Sequence, residues 1–216
     1  MHKLYVYDHC PYCTRARMIF GYQNLELDLR FLLNDDEDAH YRMVNKKVVP
    51  ILEKEDGTYM PESLDIVHYI DGQCKTPLMG GEADPNILEW ISRFSQPSYH
   101  LSMPRWALSN LAEFATPSAR MYFLKKKEAA SGQFSEHFEN TDRLVNQVYK
   151  LLEELVPLIQ SPEGVRDKPS IDDIHLFPVL RGLTIVKNMP FPQEIRDYLV
   201  RQSELTRIWL FDAFAL

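Results

Sequence analysis

Lys3-Leu4-Tyr5-Val6-Tyr7-Asp8-His9-Cys10-Pro11-Tyr12-Cys13 carries a β-type run straight into a helix start. Lys3 to Tyr7 is short and rich in β-branched and aromatic residues, which predicts a strand. From Cys13 to Asn24, Ala16, Ile19 and Phe20 recur at helical spacing and predict a helix. Cys10 then falls at or near the N-cap, with Pro11 at the first helical position, where a missing N–H costs nothing. Unpaired backbone N–H groups and the positive end of the dipole stabilise a thiolate there, lowering a cysteine pKa from about 8.5 into the range of roughly 3.5–7.5. This reading makes Cys10 the nucleophile. Cys13, one turn further in, is placed to attack a mixed disulfide on Cys10 and close an intramolecular disulfide.

Outward from this motif, strand and helix signals alternate. Leu25, Leu27, Leu29 and Phe31 alternate with charged residues and predict a second strand. Asn34 is a candidate N-cap, and Asp35, Asp36, Glu37 and Asp38 suit the first turn of a helix rather than a metal site. Val48 to Lys54 reads as a third strand, Asp56-Gly57 as a turn, and Thr58 to Met60 as a fourth strand. A helix capped by Ser63 follows, with Ile66, Val67, Tyr69 and Ile70 on its apolar face. The order β-α-β-α-β-β-α is that of a thioredoxin-type α/β domain. Val49-Pro50 precedes a strand, where the peptide bond can be cis or trans; the cis form would offer the Val49 N–H and C=O to an extended peptide. Pro61-Glu62-Ser63 puts a carboxylate and a hydroxyl at a helix N-terminus, an end that caps itself and also binds carboxylates.

Thr76-Pro77-Leu78-Met79-Gly80-Gly81 is the strongest punctuation in the chain, and Trp90, Trp106 and Trp209 all lie beyond it. We therefore divide the sequence into a domain over 1–75, a linker over 76–83 and a second domain over 84–216. The second part shows no strand signal. Helical spacing runs through 85–95, 117–130, 134–160, 170–188 and 192–212, so it is expected to be all-α. Asp84-Pro85 starts one helix, and Ser170-Ile171-Asp172-Asp173 reads as a capping box that is a folding device without chemistry. Pro178 should bend the helix it lies in.

The 216 residues and 25.3 kDa allow one large domain or two small ones. Apolar residues make up 45% and charged residues 25%, which excludes disordered, collagenous and disulfide-scaffold classes. No apolar run approaches the roughly 18 residues that cross a bilayer, and no signal-peptide pattern follows Met1, so a cytoplasmic location is expected. With a net charge of -7, nucleic acid is a poor partner. Lys125-Lys126-Lys127 reads as a solvated helix face. The 3 cysteines cannot form a framework, and in a reducing compartment a Cys-x-x-Cys is catalytic or metal-binding. No metal site is expected: a zinc site lacks its second ligand pair, and none of the 7 histidines has ligand spacing. The spacing does not exclude an iron–sulfur cluster shared between two chains through Cys10, although Pro11 should stiffen the loop against it.

Tyr7-Asp8-His9-Cys10-Pro11-Tyr12-Cys13, Val49-Pro50-Ile51-Leu52 and Met60-Pro61-Glu62-Ser63-Leu64-Asp65-Ile66-Val67 resemble the glutaredoxins. With Leu32-Leu33-Asn34-Asp35-Asp36 and Asp172-Asp173-Ile174-His175-Leu176-Phe177-Pro178, the whole chain is similar to the bacterial glutaredoxin 2 type, in which an all-helical, glutathione-transferase-like domain follows the glutaredoxin domain. The resemblance implies that Cys10 and Cys13 are the redox pair, that Pro50 is cis, and that Tyr12, Val49, Pro50, Glu62 and Ser63 hold glutathione, the co-substrate. It implies disulfide-containing or glutathionylated proteins as partners; no nucleic-acid or membrane partner is expected, and the chain is expected to act as a monomer. Cys74 matches no motif of the family. A glutathione transferase using Tyr5 or Tyr7 to activate glutathione is the rival enzyme, opposed by a thiolate that would capture glutathione covalently. A non-enzymatic transferase-fold protein should have lost one of the two cysteines, and a periplasmic oxidant should carry a signal peptide.

Overall fold

Four short strands and three helices form the first half of the computed structural model, which describes all 216 residues. They are β1 (Lys3–Val6), α1 (Pro11–Tyr22), β2 (Asp28–Phe31), α2 (Glu37–Val44), β3 (Ile51–Glu53), β4 (Tyr59–Pro61) and α3 (Ser63–Asp71), in the order the sequence predicts. The sheet order is β2-β1-β3-β4, with β1 parallel to β2 and antiparallel to β3, and β3 antiparallel to β4. Leu4 and Val6 of β1 and Ile51 and Leu52 of β3 are fully buried, so the two central strands carry the sheet's share of the core.

Several boundaries differ from the expectation. The second strand begins at Asp28 instead of Leu25: the Leu25 N–H is bonded to Phe20 O at 2.8 Å as the chain turns out of α1, Leu25 is exposed ahead of the strand, and Phe31 is exposed on the strand itself, which is an edge strand. Asp36 rather than Asn34 caps α2, its carboxylate accepting Ala39 N–H at 3.0 Å, while Asn34 is buried with its N–H on Glu113 O at 2.9 Å. The third strand contracts to Ile51–Glu53, because Pro50 has no N–H for a ladder, and the Val49–Pro50 bond is cis. The fourth shifts by one residue. Ser63 is the first residue of α3 and not its cap; the capping position is Glu62, at φ 72, where no side chain closes the helix end.

The rest is helical: α4 (Pro85–Leu108), α5 (Pro117–Ser131), α6 (Phe134–Glu139), α7 (Thr141–Leu155), α8 (Ile171–Leu183) and α9 (Gln193–Thr206). The first runs on past residue 95 with Pro97 and Pro104 inside it, and the stretch expected as one helix over 134–160 breaks at Asn140 into α6 and α7. The last ends at Thr206, since Arg207 adopts a left-handed conformation at φ 58. In the capping box the Asp173 carboxylate accepts both the N–H and the hydroxyl of Ser170 at 2.9 Å. It also takes Val165 N–H and Tyr198 OH, each at 2.9 Å.

One continuous apolar core runs through both halves. Its bridge is α1, whose Cys13, Ala16, Met18, Ile19 and Phe20 are all buried because α3 lies on one side and α8 and α9 on the other. Gly21 marks the closest approach, for a Cβ there would meet the Thr206 carbonyl oxygen at 2.3 Å. The connecting segment is tied at both ends, by Asp71 accepting Met79 N–H at 2.8 Å and Asp172 accepting Asp84 N–H at 2.6 Å.

Candidate active site

Cys10 occupies the N-cap of α1 in extended conformation (φ -74, ψ 120) with Pro11 behind it, as the motif predicts. Cys10 is half-buried, Cys13 is fully buried, and both are free thiols. The environment separates them. A hydrogen bond from Cys13, opposed by burial and helped by the charge of His9 and the backbone N–H groups of Cys13 and Tyr12, lowers the Cys10 pKa to about 7. Burial first, then the bond to Cys10, pushes the Cys13 thiol well up, although Tyr7 N–H donates to its Sγ at 3.4 Å. The result is one accessible thiolate and one sheltered thiol.

A cleft of about 350 Å³ opens over Cys10 between the two halves. Tyr7, His9, Tyr12, Val48 and Val49 line it from the first half, and Tyr99, Met103 and Trp106 of α4 with Tyr122, Phe123, Lys126 and Lys127 of α5 line it from the second. Of the residues singled out from the sequence, Cys10, Tyr12 and Val49 lie on the cleft. Pro50 is buried behind Val49, while Glu62 and Ser63 stand at the start of α3, outside the lining. The strand register links them: Ile51 pairs with Pro61, so the next residues outward are Pro50 and Glu62. No hydrogen bond within the chain uses the Val49 N–H or C=O. Glu62 pairs with Lys46 at 2.8 Å near the surface.

Neither tyrosine offered by the transferase reading is free. Tyr5 OH donates to Glu53 Oε2 at 2.7 Å on the sheet, and burial followed by that bond pushes its pKa up to about 12. Tyr7 is buried, and its OH donates to His40 Nε2 at 3.0 Å; His40 Nδ1 donates to Asp36 O at 2.5 Å, which leaves Nε2 as the acceptor. Desolvation pushes Tyr7 up and His40 down, so both stay neutral.

The helical half grips the residues just before Cys10. Arg181 of α8 is buried and donates to Asp8 O at 2.7 Å and Asp8 Oδ1 at 2.8 Å, with Arg17 on the same oxygen at 2.5 Å. Burial works against the Asp8 charge, but the two guanidiniums outweigh it and hold the carboxyl below the usual carboxylate range. Glu113, from the turn 112–114, accepts His9 N–H at 2.9 Å and His9 Nδ1–H at 2.6 Å.

Comparison with known proteins agrees with this geometry. Residues 86–215 match the family "Glutaredoxin 2, C terminal domain", and residues 4–77 match "Glutathione S-transferase, N-terminal domain". The chain is 45% identical to glutaredoxin 2 of Escherichia coli K12 over 214 residues, 99% of this chain and 100% of that one. The chain belongs to the glutaredoxin 2 family. Membership makes it a glutathione-dependent thiol-disulfide oxidoreductase, with a thioredoxin-like domain followed by a helical, glutathione-transferase-like one. The crystal structure of glutaredoxin 2 from Salmonella typhimurium in complex with glutathione superposes with a TM-score of 0.97 at 44% identity, covering 100% of this chain and 99% of that one. A glutathione S-transferase from Rhodospirillum rubrum shares the fold alone, with a TM-score of 0.60 at 16% identity over 95% of this chain and 86% of that one.

Part of the glutaredoxin cleft escaped the sequence reading. Lys126 and Lys127, read as a solvated face, line the cleft, and Lys127 is half-buried with its pKa lowered by desolvation. Two regular signals pointed there. Tyr99, Met103 and Trp106 recur at one-turn spacing on α4, and so do Tyr122 with Lys126 and Phe123 with Lys127 on α5. Glu113 and Arg181 carried no such signal.

Proposed function

We propose that Cys10 is the nucleophile and Cys13 the resolving thiol of this glutaredoxin. The observation that carries the reading is the split within the dithiol, an accessible Cys10 with a pKa of about 7 above a buried Cys13 whose pKa is raised. The Cys10 thiolate attacks a glutathione mixed disulfide, R–S–S–G, forming Cys10–S–S–G and releasing R–S⁻. A glutathione thiolate then attacks the glutathionyl sulfur of this mixed disulfide, releasing glutathione disulfide and restoring Cys10–S⁻. With a protein disulfide, Cys10 attacks one sulfur and frees the other as a thiolate, which takes the Cys13 proton; the Cys13 thiolate then attacks the Cys10 sulfur and displaces the second protein thiolate, and the resulting Cys10–Cys13 disulfide is reduced by two glutathiones, which leave as glutathione disulfide.

Glutathione is assigned to Tyr12, Val49, Pro50, Glu62 and Ser63. The unused backbone groups of Val49 support this, since an extended peptide pairs with such groups. So do the first amides of α3, which have no acceptor within the helix and favour a carboxylate. Glu62 is held at φ 72, a region that non-glycine residues occupy rarely and chiefly at functional sites. The reading divides the chain into a glutaredoxin domain over 1–75, a linker over 76–83 and a helical domain over 84–216. It takes disulfide-containing or glutathionylated proteins as substrates. It takes the chain to act as a monomer, and a dithiol that must return to the reduced state suits the reducing cytoplasm.

The deciding experiment follows glutathione-dependent reduction of a small mixed disulfide, coupled to glutathione reductase, beside conjugation of an electrophile under the same conditions. Disulfide reduction without conjugation is the expected outcome, and conjugation that survives Cys10→Ser would overturn the dithiol reading.

A further inference from the structure

Glu113 has no part in the chemistry just described, yet its carboxylate is fully buried in the helical half and reaches across to the residue before Cys10. Its Oε1 accepts two donors of one residue, His9 N–H at 2.9 Å and His9 Nδ1–H at 2.6 Å, and its Oε2 has no hydrogen-bond partner. A carboxylate deprived of water needs either several donors or a cation to hold its charge, and Glu113 has His9 alone. The one group bonded to it that can carry positive charge is the His9 imidazole.

That imidazole has little freedom. Tyr7 stacks on it at 5.9 Å and 6°, Phe114 at 5.2 Å and 24°, and Trp106 and Phe123 close in at 5.2 and 5.1 Å. The turn bearing Glu113 is also fixed, with Asn34 N–H on the Glu113 carbonyl at 2.9 Å and Arg120 on the Phe114 carbonyl at 3.1 Å.

We propose that Glu113 is a positioning residue of the dithiol reaction: through its two bonds to His9 it fixes the residue before Cys10 and keeps the imidazole there as a cation that stabilises the Cys10 thiolate. The proposal rests on the reading of Cys10 as nucleophile. The charges act in the required sense. Beside the Cys13 hydrogen bond and against burial, His9 lowers the Cys10 pKa, while Glu113 adds to the burial and the Cys10 bond that keep Cys13 protonated. Other charged and titratable groups surround the pair: Arg181 of α8 and Arg17 of α1, both on Asp8, Lys127 of α5 on the cleft, and neutral Tyr7 and His40. All of them remain in every variant of the test.

The test is the pH dependence of iodoacetamide alkylation in the reduced full-length protein, with the modified cysteine identified by mass spectrometry. Glu113→Gln keeps an oxygen for the His9 donors and removes the charge. The midpoint for Cys10 is expected to rise by about one pH unit, leaving roughly tenfold less thiolate on the acid side. An unchanged or lowered midpoint overturns the proposal. In a His9→Asn background the same substitution should no longer raise the midpoint; a rise that persists there shows that Glu113 does not act through His9 and also overturns it. Where Glu113→Gln fails to fold, His9→Gln decides, a raised midpoint supporting the proposal and an unchanged one overturning it. Alkylation of Cys13 ahead of Cys10 in the unsubstituted protein would overturn the nucleophile assignment and this proposal together, whereas Cys10 reacting first but insensitive to Glu113 overturns this proposal alone.

Discussion

Cys10→Ser is expected to abolish every disulfide reaction, whereas Cys13→Ser should spare the reduction of glutathione mixed disulfides, which needs one enzyme thiol, and lose the reduction of intramolecular protein disulfides. Measuring both substrates on both variants checks the role assignment, and the opposite pattern would reverse nucleophile and resolver. The pH dependence follows from the same asymmetry. With the Cys10 pKa near 7, alkylation of this residue should be about a tenth complete in thiolate terms at pH 6 and about nine-tenths at pH 8, with Cys13 silent throughout. A midpoint near 8.5, the value of a free cysteine, would show that the helix end and its neighbours leave the thiol untouched.

At the scale of single elements, the caps of α2 and α3 behave differently although both starts carry a polar side chain. Asp36→Ala removes a cap whose bond to Ala39 N–H is 3.0 Å and should cost about 0.5–2 kcal/mol in a denaturant titration. Ser63 is the first helical residue and caps nothing, so Ser63→Ala should leave stability nearly unchanged while weakening glutathione binding. Unchanged affinity in calorimetry would remove Ser63 from the proposed glutathione site. At the start of α8, Asp173 holds four groups: Ser170 N–H and OH, Val165 N–H and Tyr198 OH. Asp173→Ala orphans buried donors at roughly 1–3 kcal/mol each and should be among the most destabilising changes in the helical half.

For the whole molecule, the site lies where the two halves dock. Gly21→Ala drives a methyl group into the Thr206 carbonyl, 2.3 Å away, and α9 must retreat from α1; a loss of about 1–3 kcal/mol is expected on thermal or chemical unfolding. Residues 1–75 alone should not fold stably, because α1 would expose the face that now packs on α8 and α9. A folded fragment with the substrate range of the full chain would show the helical half to be separable. The Asp8–Arg181 contact adds a pH dependence. Asp8 has a lowered folded pKa, so the pair contributes stability above the unfolded carboxylate value near 3.9 and loses it as pH falls through the folded one. Arg181→Met should therefore destabilise the protein at pH 7 and flatten its stability loss in acid.

The sequence by itself determined the order of elements, the all-helical second half and the dithiol at a helix start, because these rest on periodicity, punctuation and the special backbones of proline and glycine, all local properties of the chain. It also pointed to Val49-Pro50 through a residue type with few conformations. Boundaries such as Leu25, Asn34 and Ser63 were decided by tertiary structure: a polar residue near a helix start caps it only if the incoming chain lets it, and alternating leucines face a core only where a sheet interior awaits them. Tertiary structure alone decided what surrounds Cys10. Glu113 and Arg181 are separated from the motif by 104 and 173 positions in the pairs they form, and nothing local distinguishes a glutamate or arginine that will be buried against a partner half from one that will stay in water. Lys126 and Lys127 make the same point, since a lysine pair has one local signature and acquires its role from the wall that α5 happens to form.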